Sequence, residues 1–123
     1  DKIILMNTSN TERARTNMDR LEKKIVSAVK QSLRFYVPKV LEMDFQDVIK
    51  LDFQSKFIAH CYDDFSKDRG ISDTISNQLI GPEGDFSKNE VQAAFDFGFK
   101  GLDLGNYRLR TETAAIVALS RFQ

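Results

Sequence analysis

The sequence predicts an α/β domain built on a largely parallel sheet. Two observations carry this: short apolar runs of strand length alternate with helix-patterned segments, and glycine-marked turns at Gly81–Gly84 and Gly105 each separate a run from a helix. A third is the capping box Ser87-Lys88-Asn89-Glu90, which fixes the start of one of those helices.

In chain order, Ile3–Met6 reads as a short buried strand, because four apolar residues are too few for a helix. A polar loop follows over Asn7–Thr16. Asn17 is placed to cap a helix from Met18 to about Ser32, whose apolar stripe is Met18, Leu21, Ile25, Ala28 and Val29, with Lys23, Lys24 and Lys30 off it. Phe35-Tyr36-Val37 reads as extended ahead of Pro38. Asp44 is a candidate cap for a short helix through Val48 and Ile49. Lys56–Cys61 is the next strand, Tyr62–Asn77 a long polar loop, and Gln78-Leu79-Ile80 the end of a further strand, broken at Gly81-Pro82-Glu83-Gly84. The helix opened by Ser87 shows Val91, Ala94 and Phe95 on one face, and Gly98 stands where a C′ glycine belongs. Gly101–Leu104 is one more strand, and a last helix runs from Thr111-Glu112 to the C-terminus.

The 123 residues fit one domain. With 41% hydrophobic and 29% charged residues the chain is globular rather than disordered. Its longest apolar run, Ala114–Leu119, is far short of the ~20 residues of a membrane span. One cysteine cannot form an internal disulfide, and a reducing cytoplasm is the expected compartment. The chain opens at Asp1 and enters an apolar run at once, which reads as the middle of a longer protein. Net charge is zero, yet residues 1–40 hold nine Lys and Arg against four Asp and Glu, while residues 41–100 hold six against twelve. A basic first third facing a polyanion, or a solvated helix face, both fit that asymmetry.

Ligands in open parallel sheets bind at the carboxyl ends of the strands, where the two glycine turns gather. Neither has the spacing G-x-G-x-x-G or G-x-x-x-x-G-K-[ST], so a dinucleotide or P-loop site is unsupported. One His and one Cys cannot build a zinc site, and the acidic residues lack calcium-loop spacing, so no metal is expected. His60-Cys61 is a poor catalytic couple, since neighbouring strand residues point to opposite faces. In Arg108-Leu109-Arg110-Thr111-Glu112-Thr113, Thr111 suits a helix cap and Glu112 the helix dipole. Two arginines there oppose the dipole and imply a partner such as Glu83, Glu112 or a phosphate. The last helix is apolar on every side, so it either threads through the domain or packs on a second chain.

Taken together, Leu79-Ile80-Gly81-Pro82-Glu83-Gly84, then Phe86-Ser87 and Glu90, then Leu104-Gly105 with Arg108-Leu109-Arg110-Thr111-Glu112-Thr113-Ala114-Ala115, resemble the RsmE-type ribosomal RNA uridine-N3 methyltransferases of the SPOUT superfamily. Glu12-Arg13 and the string Gln31-Ser32, Arg34 and Val37-Pro38 fit the same family in the same order. The resemblance implies a SPOUT-type, mostly parallel sheet with helices on both faces and a C-terminal trefoil knot. It implies S-adenosylmethionine as cofactor, a homodimer through the C-terminal helix, and methylation of N3 of a uridine in 16S rRNA of the small ribosomal subunit. Family members also carry an N-terminal PUA-like RNA-binding domain and a leading strand and helix. Residues 1–123 are accordingly expected to be a single methyltransferase domain without them.

By the same resemblance, Arg13, Gln31 and Arg34 are expected near the uridine. Ala59, His60, Ile80, Gly81, Gly84, Leu104, Gly105, Leu109 and Arg110 are expected around the cofactor, and Glu112 is expected to orient an arginine or close the loop. No general base is assigned. This sequence departs from the family at Asp85, where a second glycine is usual, and at Leu33, where a glycine usually separates the Gln-Ser pair from its arginine. A non-catalytic RNA-binding domain of the same fold, or an unrelated nucleotide-binding module, are the competing readings.

Overall fold

Along the residues that this computed structural model describes (2–10, 18–32, 37–52, 55–67, 77–82, 84–105 and 110–120), the elements run β1 (Lys2–Asn7), α1 (Met18–Gln31), β2 (Lys39–Asp44), α2 (Phe45–Val48), β3 (Lys56–Ala59), β4 (Asn77–Leu79), α3 (Lys88–Asp96), β5 (Lys100–Leu102) and α4 (Thr111–Ser120). All pairings among these strands are parallel, as the alternation of elements predicts, but they form two sheets rather than one. β1 pairs with β2, Ile3 opposite Val40 and Met6 opposite Met43. β3 stands between β4 and β5, with Ile58 opposite Leu79 on one side and Gly101 on the other.

The period-two geometry of β3 divides the interior. Ile58 faces a cluster of Phe45, Val48, Ile49, Leu79, Phe86, Val91, Ala94 and Phe99, which brings α2 and α3 to one face. Ile4, Met6 and Met43 join that cluster from the β1–β2 sheet. Phe57 and Ala59 pack with Leu102 and with Ala118 of α4. Helices therefore cover both faces of the three-stranded sheet.

Several local expectations need correction. β2 is a strand that the sequence reading leaves out. The caps differ too: the Asp44 carboxylate makes no cap bond to α2 and instead accepts from the amide of Asn7, its partner across the β1–β2 ladder, at 3.2 Å. β3 stops at Ala59 and β5 at Leu102, both short of the expected ends, and β4 starts at Asn77. The capping box stands as written: Ser87 Oγ accepts from Glu90 N–H, and Glu90 Oε1 accepts from Ser87 N–H at 2.8 Å. Gly98 follows Phe97, the C-cap of α3, at φ +91°, the left-handed conformation that glycine adopts freely.

The apolar α4 is not buried on every side within one chain. Ala114 and Ala118 are buried, whereas Ile116 is 69% exposed. Asn17, Phe35 and Tyr36 lie outside the described residues, as do residues 106–109 and 121–123.

Candidate functional site

Because β3, β4 and β5 are parallel, their carboxyl ends share one edge, and the chain leaves that edge at three points. His60 follows β3, Ile80-Gly81 follow β4, and Asp103-Leu104-Gly105 follow β5. Between them lies a cleft of about 610 Å³. Of the nine residues expected around a cofactor, seven line it: Ala59, His60, Ile80, Gly81, Gly84, Leu104 and Gly105. Arg110 is exposed just before α4 and is not part of the lining. Leu109 lies outside the described residues, as do Arg13, Arg34, Leu33, Glu83 and Arg108. Gln31 ends α1 exposed and away from the cleft lining. The side chain of Glu112 is likewise outside what is described.

The lining also contains residues that sequence reasoning did not name. Leu102 and Ala114 complete an apolar floor with Ile80 and Leu104, while Tyr62, Asp63 and Lys67 form a wall. That wall reads as plain loop in sequence, since several of its fastenings reach residues distant along the chain. Tyr62 Oη donates to Phe86 C=O at 2.6 Å, and Lys88 pairs with Asp64 at 2.6 Å, an exposed pair that lowers the Asp64 pKa and raises that of Lys88.

Asp85, one of the two departures from the family pattern, sits at φ +63°. Glycine enters this left-handed region without cost, and Asp is among the few other residues that tolerate it. The aspartate offsets its backbone strain through its carboxylate. Oδ1 accepts from Phe86 N–H at 2.7 Å and Oδ2 from Cys61 N–H at 3.1 Å, which fastens the turn after β4 to the end of β3. The amide of Asn10 adds a second fastening, donating to the carbonyls of Gly84 and Asp85. Ser9 N–H donates to Oε2 of the buried Glu90, so the segment after β1 is docked on both the turn and α3.

Glycines shape the cleft in two ways. Gly105 stands at φ +116° with no atom of the described residues within 4 Å of where a Cβ would be, held by its N–H bond to Asp103 Oδ1 at 2.9 Å. Gly101 is the reverse: a Cβ there would collide with the carbonyl of Ser66, so the wall lies directly on β5.

Thr111 does not spend its hydroxyl hydrogen on α4. It donates to Gly81 C=O at 2.9 Å and ties the turn after β4 to the start of α4. His60 is buried, and its ring is flanked by Tyr62, Phe65 and Phe95. Desolvation holds its pKa below the ordinary 6.5, opposed by the bond to Ser66; Lys67 lowers it further and Asp85 raises it. Cys61, its neighbour, is exposed, so the two do not act as a couple. Among the described residues no cluster of His, Cys, Asp and Glu is arranged to hold a metal ion.

The cleft suits a cofactor of nucleoside size. Its volume lies within the range of about 300–1,000 Å³ of ligand sites. The apolar floor suits a flat aromatic base, and the carboxylates of Asp63, Asp85 and Asp103 suit ribose hydroxyls and a positive charge.

Known proteins share this arrangement. A family model described as an RNA methyltransferase domain matches residues 1–123. The chain is 33% identical over 109 residues to the ribosomal RNA small subunit methyltransferase E of Mesomycoplasma hyopneumoniae, covering 85% of this chain and 47% of that one. The crystal structure of a "probable rRNA-methyltransferase" from Porphyromonas gingivalis superposes with a TM-score of 0.84 at 36% identity, over 98% of this chain and 54% of the other. A ribosomal RNA small subunit methyltransferase E from Neisseria gonorrhoeae, bound to S-adenosyl methionine, superposes with a TM-score of 0.72 at 26% identity, over 97% of this chain and 52% of that one. The chain thus spans about half the length of the relatives it matches. With a parallel sheet, glycine turns at its carboxyl edge and a family model matched from end to end, the chain belongs to the RNA methyltransferase domain family.

Proposed function

We propose that the cleft binds S-adenosylmethionine and that the domain methylates N3 of a uridine in 16S rRNA, working as a homodimer. The observation that carries this is the convergence of seven expected cofactor residues on one cleft at the carboxyl edge of the three-stranded sheet. When bound, the cofactor supplies an electrophilic methyl group. The protein's part is to hold and align, because an in-line displacement gains most from fixed geometry.

Ile80, Leu102, Leu104 and Ala114 would bury the base, and the backbone at Gly81 and Gly105 would approach it closely. Asp63, Asp85 and Asp103 would face the hydroxyls and the positive end. Arg13 follows three residues after Asn10, whose amide is fixed to the Gly84–Asp85 turn. Its guanidinium, assigned to the uridine, would stabilise negative charge developing on the base's carbonyls. Arg34 and Gln31 are assigned to the same nucleotide, with Leu109 and Arg110 beside the cofactor. In the homodimer, the partner's surface would cover Ile116 of α4.

The test is methyl transfer from labelled S-adenosylmethionine to small ribosomal subunits, followed by mapping of the modified base. The reading expects label at N3 of a single uridine of 16S rRNA in a protein containing these residues at the length of its relatives. Cofactor binding without any transfer would replace it with a non-catalytic RNA-binding domain of the same fold.

A further inference from the structure

His60 was expected to border the cofactor, but both of its ring nitrogens are engaged elsewhere. Nδ1 accepts from Tyr62 N–H at 3.2 Å, so it carries no proton. Nε2 lies 3.3 Å from Ser66 C=O, and a carbonyl can only accept, so Nε2 carries the hydrogen. The two bonds span a loop of five residues and close it on the ring. Tyr62 and Asp63 of that loop line the cleft, and so does Lys67, the residue after it.

The fastenings are unequal along the loop. Its first half has several, through Cys61 to Asp85, Tyr62 to Phe86 and Asp64 to Lys88. The Ser66 end has one polar fastening, the imidazole, beside the packing of Phe65 on Phe95 and the seat of Ser66 on Gly101, where no Cβ fits.

We propose that His60 is a positioning residue, a neutral imidazole protonated on Nε2 that staples residues 62–66 closed and so sets the wall of the cofactor cleft. This rests on reading the cleft as the S-adenosylmethionine site. Protonation of Nδ1 would point two N–H groups at each other across the Tyr62 bond and open the staple. The groups facing the ring are Lys67 and Tyr62 from the loop, Asp85 from the turn after β4, the rings of Phe65 and Phe95, and Gly101 of β5. Burial most of all, and Lys67, oppose the charged form, whereas the Ser66 bond and Asp85 favour it.

His60 is the chain's one histidine, so its ring signals need no assignment. Ring nitrogen NMR of the unmodified chain at pH 7.5 should show the Nε2–H form, and acidification through the ring's own titration should expose the amides of residues 62–66 to exchange in step. An Nδ1–H ring, or loop amides indifferent to the titration, overturns the proposal. Calorimetry with S-adenosylmethionine supplies the second arm. His60→Phe should weaken binding by roughly threefold to tenfold at pH 7.5, the effect of about one lost hydrogen bond. His60→Asn, whose Oδ1 can accept from Tyr62 N–H, should recover part of it. Below the ring pKa the affinity of the unmodified chain should fall towards that of His60→Phe, a convergence that cancels the ligand's own titration. Equal affinities and equal pH profiles in a folded His60→Phe chain overturn the proposal. If His60→Phe does not fold, the two NMR readouts on the unmodified chain decide. If the unmodified chain takes up no S-adenosylmethionine, the cofactor reading fails, and the same NMR readouts still decide the staple.

Discussion

The hydroxyl of Thr111, first residue of α4, donates to the carbonyl of Gly81 at 2.9 Å and joins two segments thirty positions apart in sequence. One follows β4 and the other opens the helix that floors the cleft through Ala114. A single bond therefore fixes the distance between two sides of the candidate site. Thr111→Val removes the donor while keeping the shape. It should cost about 1 kcal/mol of stability and weaken S-adenosylmethionine binding several-fold, with Thr111→Ser near the unmodified protein in both. Urea melts and calorimetry on the three proteins check this ranking.

Asp85 combines a left-handed backbone with two carboxylate bonds, so two substitutions separate the contributions. Asp85→Ala loses the bonds and keeps the strain, at a cost of about 1–3 kcal/mol. Asp85→Gly loses the same bonds but relieves the strain, and should be more stable than Asp85→Ala by about 1 kcal/mol. Denaturation midpoints give the order directly. An alanine variant as stable as the glycine one would contradict the strain argument.

Much of this was legible in sequence because it is local. The capping box, the C′ glycine and the glycine turns each depend on a handful of neighbouring residues, and they stand where expected. β2 was not legible: in Lys39–Asp44 the half-buried residues are Val40 and Met43, three apart, which fits no strand alternation. Its partner β1 lies thirty-seven residues earlier, and no local pattern encodes that pairing. The cleft follows the same rule. Its glycine edges showed in the sequence, while the Tyr62–Lys67 wall depends on Phe86, Lys88, Asp85 and Gly101, all distant along the chain. The bond from Thr111 to Gly81 was not legible either, because it requires the fold to exist first.

Stability should depend on pH through His60. Its folded-state pKa lies below the ordinary 6.5, so the unfolded chain takes up the proton first as pH falls. The stability held above about pH 6.5 is then lost progressively down to the folded-state pKa, at no more than about 1.4 kcal/mol per pH unit for one proton. Urea melts at pH 7.5, 6.5 and 5.5 should show the decline, and His60→Phe should flatten it across that window.

Ile116 offers a way to separate assembly from folding. It is 69% exposed within one chain while Ala114 and Ala118 on the same helix are buried. Ile116→Asp should therefore leave the single chain folded and abolish dimers, since covering such a side chain contributes roughly 1.5–3 kcal/mol per copy. Sedimentation of both proteins checks this. A folded monomer for the unmodified chain would remove α4 as an interface.

The central claim is that the cleft between the ends of β3, β4 and β5 takes S-adenosylmethionine, and Gly105 tests it most directly. The glycine lies at φ +116° on the cleft's edge with no atom of the described residues within 4 Å of where a Cβ would be, so a valine would strain the turn and project a branched side chain where the cofactor approaches. Calorimetry should show one S-adenosylmethionine bound per unmodified chain, no heat with ATP, and no binding to a folded Gly105→Val chain. Unchanged S-adenosylmethionine affinity in that folded variant would contradict the account.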